Sequence, residues 1–173
     1  MIKNLSISIL FLKEAEDVPL TSFFTYLRST PQIRLSELSQ LPQDLSSYDI
    51  VITCNTRHSD TTVDRLTRFV HAGGGWQLFV DLSERPLPQI FGVQQDPMGP
   101  VSELRVLFEN TEHPLAARLP DAVYLKGRYH ALSKTAEDTE TILYADWQYS
   151  HRSVLTHRRV GRGHVACTSL QAY

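Results

Sequence analysis

The sequence predicts an α/β protein, with a mainly parallel central sheet in its first half and a strand-rich C-terminal half. Three observations predict it. Apolar strand patterns alternate with amphipathic helical patterns through about the first eighty residues, the arrangement in which crossover helices join parallel strands. The run Gly73-Gly74-Gly75 stops the second helix and opens a strand. Beyond Val101, strand-like segments are separated by turn residues instead of helices.

Leu5–Leu12 begins with alternation and ends as a continuous apolar run, which suits a central strand covered on both faces. Leu20, Phe23, Phe24 and Leu27 recur at helical spacing within Val18–Leu27, so a short amphipathic helix is expected there, starting after Pro19. Gln32–Leu35 is weakly strand-like, and Ser36–Ser47, with Pro42 and four serines, reads as a loop or helical turn. Tyr48–Cys54 is the clearest strand, because the β-branched residues Ile50, Val51 and Ile52 stand together in it. After the polar loop Asn55–Asp60, Thr61 and Asp64 have capping-box spacing, and Val63, Leu66, Phe69 and Val70 line one helical face. Trp76–Val80 is the next strand and runs into the turn Asp81–Glu84.

In the second half, Pro86, Pro88, Pro97 and Pro100 punctuate a long connection in which Gln89–Val93 reads as a packed turn. Val101–Phe108, Ala122–Leu125, Thr141–Tyr144, Ser153–Thr156 and Val165–Leu170 read as strands. The turn Gly161-Arg162-Gly163 makes a hairpin of the last two. No repeat, low-complexity tract or linker divides the 173 residues, so a single domain over 1–173 is expected.

Composition narrows the function. Seventeen basic against nineteen acidic side chains leave a net charge of −2, so no uniform basic field grips nucleic acid. No purely apolar stretch is longer than the four residues of Ile9–Leu12, far short of the ~20 residues of a membrane helix. Two cysteines, Cys54 and Cys167, exclude a disulfide framework, and the N-terminus carries no signal-peptide pattern. A reducing cytoplasm is the expected home, without nucleic-acid or membrane partners.

The ordered set Tyr48–Cys54, Gly73-Gly74-Gly75 with its following strand, His113-Pro114-Leu115, Leu119-Pro120, Tyr129-His130 and Val160–Val165 resembles the ThuA-like (trehalose-utilisation) branch of the class I glutamine amidotransferase-like superfamily. The match runs over roughly Tyr48 to Leu170. The resemblance implies a flavodoxin-like three-layer sandwich with a site at the carboxyl ends of the strands. It also implies a closing helix after the last strand, so that the chain is an excised part of a longer polypeptide. Three family positions differ. The turn after the strand that follows the glycine run carries cysteine in the amidotransferases and usually histidine in the ThuA-like proteins; here it reads Val80-Asp81-Leu82. Lys126-Gly127-Arg128 replaces the acidic pair expected before Tyr129, and Ser169–Tyr173 offers no histidine after the last strand.

Several residues carry candidate chemistry at the strand ends, where ligands bind in open parallel sheets. Cys54, followed by Asn55, Arg57 and His58, is either an activated thiol or a small buried hydrophobe closing its strand. Asp81 is either a general base or nucleophile or, like Ser83, a cap for the next element. His130 is the accompanying candidate base, and Tyr129 a candidate ligand contact. The glycine run is no phosphate cradle, since it follows a helix and opens a strand. The seven histidines show no metal-binding spacing, although His151 and His157 can share a strand face. His151, Arg152, His157, Arg158, Arg159, Arg162 and His164 make the one basic stretch, suited to an anion. The expected role is a non-catalytic domain that binds a small molecule, carbohydrate-related by the resemblance, or assembles with a protein partner or a second copy, without cofactor or metal. The alternatives are an enzyme using Asp81 with His130 or Cys54, and a structural domain whose exposed final strand pairs with a partner.

Overall fold

The computed structural model describes residues 6–13, 21–54, 58–82, 85–118, 120–147 and 150–170. Its main feature is a nine-stranded sheet. In chain order the parallel half contributes β1 (Ile7–Leu12), β2 (Ile33–Leu38), β3 (Ile50–Cys54) and β4 (Gly75–Phe79), with helices α1 (Thr21–Ser29) and α2 (Asp60–His71). Two short strands follow, β5 (Val93–Gln95) and, later, β8 (Leu132–Lys134), which pair only with each other among the described residues. The rest is β6 (Ser102–Phe108), β7 (Val123–Gly127), β9 (Thr139–Trp147), β10 (Ser150–Val160) and β11 (Gly163–Thr168).

The sheet order is β2-β1-β3-β4-β11-β10-β9-β6-β7. β2, β1, β3, β4 and β11 run parallel, and β10, β9, β6 and β7 continue antiparallel. The expected same-direction pairing of the Trp76 and Ile50 strands is present, with Ile50 level with Gly75 and Cys54 level with Phe79.

Strand alternation sorts the core into faces. Phe24 and Leu27 of α1 pack with Ile9, Phe11, Ile52, Cys54 and Phe79. Leu66 and Val70 of α2 pack with Leu10, Val51, Trp76 and Leu78. Adjacent strand residues belong to different clusters, so the two helices lie against opposite faces. A third cluster, with Leu104, Val106, Tyr129, Ala145 and Val154, fills one face of the antiparallel half.

Several expectations require correction. The helix near Leu27 continues to Ser29, and its expected start just after Pro19 falls at Leu20, outside the described residues. The stretch beginning at Ser36 is not all loop: β2 runs to Leu38, because its main chain stays paired with β1 through that residue. The N-cap of α2 is Ser59, whose hydroxyl accepts from the Thr62 N–H at 3.2 Å, so Thr61 and Asp64 sit inside the helix. Gln89–Val93 divides into a 3₁₀ turn over Gln89–Phe91 and the start of β5. Val123–Gly127 replaces Ala122–Leu125, and β9 and β10 extend well beyond their sequence patterns. The final strand is not exposed: the hairpin turn at Gly161 feeds β11 between β10 and β4, and the outer strand on that side of the sheet is β7. As expected, glycine ends α2. Gly73 has φ +119°, and the Gly74 N–H returns to the Phe69 carbonyl at 3.1 Å.

Candidate functional site

Parallel register brings one edge of the sheet together. Cys54, Phe79 and Thr168 are level at the carboxyl ends of β3, β4 and β11. β6 and β10 run the other way, so their first residues, Ser102 and Ser150, reach this same edge, as does Gly127 at the end of β7.

Cys54 is 8% exposed and packs with Phe79, Phe11 and Ile52 on the α1 side. His58 does not share that side. Its Nε2 donates to the Cys54 carbonyl at 3.1 Å, and its ring stands edge-on to Trp76, which belongs to the α2-side core. The thiol and the imidazole therefore occupy opposite faces, although only four residues separate them. Asp81 is half-buried immediately beyond β4. Asn55, Arg57, Ser83 and Glu84 lie outside the described residues.

Tyr129 and His130 follow β7 and turn back under the segment that leaves β5. The Asp96 N–H donates to the Ala131 carbonyl at 2.9 Å, and the Gly99 N–H to the Tyr129 carbonyl at 3.4 Å. This extended pairing alternates the side chains. His130 is buried at 1% exposure, and its Nδ1 lies 2.7 Å from the Asp96 carbonyl oxygen. A carbonyl can only accept, so Nδ1 is the donor of this bond. The ring's Nε2 and the Ser169 hydroxyl, just past β11, are buried polar atoms without a hydrogen-bond partner among the described residues. Tyr129 points the other way, into the cluster of Leu104 and Val106.

A cavity of about 380 Å³ opens beside Tyr129, between the Pro97–Pro100 loop and the strand edge, lined also by Ser102, Ala131, Ser150 and Arg152. Burial pushes the Tyr129 phenol above its ordinary pKa, while the nearby Arg152 guanidinium pulls against the rise. Arg152 has no ion pair or hydrogen bond among the described residues. Its charge is left to the cavity and to solvent. The Arg152 guanidinium with Tyr129 and Ser102 beside a partly apolar wall suits a small polar ligand with an anionic or hydroxyl-rich group. A second cavity of about 590 Å³ lies between Arg85, Gln89, Gly92, Gln95 and Thr135 and contains none of the sequence candidates.

Of the candidates, then, Tyr129 lines the smaller cavity, whereas Cys54, His58, Asp81 and His130 line neither. Ser102 and Ser150 have no sequence signal. Arg152 has only its place in the basic stretch. The other members of that stretch go elsewhere: His151 pairs with Glu109, Arg158 with Asp138, and His157 lies 2.9 Å from His164.

No family model and no curated protein sequence matches the chain. Solved structures do. A ThuA-like protein from Bacteroides uniformis superposes with a TM-score of 0.75 at 15% identity, covering 97% of this chain and 82% of that one. A cytoplasmic protein from Salmonella typhimurium gives a TM-score of 0.71 at 13% identity, covering 95% and 87%. A β-galactosidase from Bacillus circulans sp. alkalophilus gives 0.69 at 16% identity over 96% of this chain, but only 28% of the larger enzyme. No helix of the described residues is long and apolar enough to cross a membrane. At these identities the likeness is one of fold, and the chain has the fold of the ThuA-like proteins.

Proposed function

We propose that the chain is a non-catalytic ThuA-like domain, a flavodoxin-like three-layer sandwich through its parallel half, that binds a small polar ligand at the carboxyl edge of its sheet. We place it in the cytoplasm and in carbohydrate metabolism. The observation that carries the reading is the contrast between Arg152 and the reactive candidates. Arg152 is exposed and lines the cavity with one side of the buried Tyr129, whereas Cys54 is packed among phenylalanines and His130 is tied to the Asp96 carbonyl. The turn that bears the nucleophile in the resembling families reads Val80-Asp81-Leu82. The carbohydrate assignment draws on the ThuA-like neighbour and on the β-galactosidase, in which the matching part is about a quarter of the chain.

Isothermal titration of the protein with a panel of neutral sugars, sugar acids and sugar phosphates tests this. A ligand of the panel is expected to bind without being turned over. Arg152→Gln lowers its affinity at least ~tenfold, the loss of one charge-assisted hydrogen bond, and Asp81→Asn leaves it unchanged. A second reading, an enzyme on the same fold, is favoured by the buried His130 Nε2, which has no hydrogen-bond partner among the described residues. Turnover of a panel member that disappears in His130→Gln or Asp81→Asn establishes that reading and removes the first.

A further inference from the structure

We propose that the larger cavity, between β5 and the Arg85–Leu87 segment, is a second binding site, for a small amide-bearing carboxylate of the N-acyl amino acid class. Gly92, Val93, Gln94 and Gln95 line it one after another. Side chains of a strand alternate between its faces, so four consecutive residues border a cavity that lies along the strand's edge. The Val93 side chain belongs to the α2-side core, which leaves its main chain to the cavity. The pairing with β8 decides which groups turn there. The Thr135 N–H donates to the Gly92 carbonyl at 2.8 Å, and the Asp96 N–H to the Ala131 carbonyl at 2.9 Å. In an antiparallel ladder such bonded pairs alternate with unbonded ones. Gly92, Gln94 and Asp96 therefore direct their main-chain groups to β8, whereas Val93 and Gln95 turn theirs to the cavity side.

The opposite wall does not take up those groups as a neighbouring strand would. Pro86 and Pro88 have no N–H to give. Among the described residues, no hydrogen bond joins the Val93 main chain to a partner on that side. The amide of a bound molecule meets both needs: the Val93 N–H donates to its carbonyl, and the Val93 carbonyl accepts from its N–H, as in strand addition. Arg85 sets the charge. It is half-buried in the cavity wall, without an ion pair or hydrogen bond among the described residues, and none of the lining residues is acidic. A guanidinium in that setting selects a carboxylate. Pro86, Leu87 and Ala136 add apolar wall for a side chain, and about 590 Å³ is room for a small molecule. No residue lines both cavities, so this site is separate from the one beside Arg152 and Tyr129.

Nitrogen–proton correlation spectra of the isotope-labelled whole chain, titrated with N-acetyl-L-leucine, test the site. The Val93 and Gln95 amide signals are expected to shift saturably, with a Kd of about 1 mM or below. N-acetyl-L-leucinamide, which lacks the carboxylate, and isocaproate, which lacks the amide, bind at least ~tenfold more weakly. Arg85→Gln removes the preference for the acid over its amide, whereas Arg152→Gln, in the other cavity, leaves that preference in place. The absence of a saturable Val93 shift up to ~10 mM overturns the proposal. So does a preference for the acid that survives Arg85→Gln, or a set of shifts confined to the residues around Tyr129.

Discussion

The indole Nε1 of Trp76 donates to the Thr53 hydroxyl at 2.9 Å, and both side chains are buried, at 1% and 0% exposure. This bond crosses from β4 to β3 inside the α2-side core. An indole N–H deep in a core must find an acceptor or lose its solvation without return. Thr53 supplies one while keeping the β-branched shape that a central strand favours. Thr53→Val preserves the shape and strands the donor. The expected cost is about 1–3 kcal/mol in urea unfolding. In a Trp76→Phe background the same substitution costs less, because no N–H remains to be stranded. Equal cost in both backgrounds refutes this account of the bond.

Two glycines behave oppositely. A Cβ on Gly163 would lie 2.2 Å from the backbone oxygens of Gly74 and Val70, where the end of α2 meets the start of β11. Backbone cannot yield as a side chain does, so Gly163→Ala forces the helix from the sheet. It is expected to cost more than about 3 kcal/mol. Gly99 has no described atom within 4 Å of its Cβ position in the cavity loop. Gly99→Ala is expected to be neutral or to stabilise by about 0.4–1 kcal/mol through the unfolded chain. Thermal melts of the two variants compare them directly.

The parallel half is largely legible in the sequence because its elements are local. Ile50–Cys54, α2 and Gly75–Phe79 match their apolar periodicities to within about two residues. The antiparallel half is less legible. Insertion of β11 beside β4 pairs His164 with Gly75, a contact that no local pattern records. β5 and β8 have three residues each, too few for a periodicity to register. The candidate site shows both limits. Cys54 and His58 are neighbours in sequence yet lie on opposite faces, since the sheet itself stands between them. Tyr129 and Arg152 are distant in sequence yet line one cavity, because three strands cross the same edge.

Neither cysteine is presented to solvent: Cys54 is 8% exposed and Cys167 1%. Iodoacetamide at neutral pH is therefore expected to label neither thiol within the time that labels both in denaturant. Mass spectrometry of the intact chain reads the count. Rapid labelling of Cys54 in the native protein would restore it as a nucleophile and weaken the non-catalytic reading.

Stability is expected to fall on the alkaline side through Cys167. Complete burial holds its thiol protonated far above the ordinary thiol range. In the unfolded chain the same thiol ionises near pH ~8.5. Between these values the folded state keeps a proton that the unfolded state has lost, so the unfolded state gains relative to the folded one as pH rises. The expected slope is about −1.4 kcal/mol per pH unit, beginning near pH ~8.5. Tyr129, whose phenol is also raised by burial, adds to the slope above pH ~10. Cys167→Ala removes the first part of the decline and leaves the second. It does so at a fixed cost of about 1 kcal/mol for the small cavity, independent of pH. Urea unfolding of both proteins between pH 7 and pH 10.5 separates the two effects. A variant that declines from pH ~8.5 as steeply as the parent places the responsible group elsewhere than the β11 core.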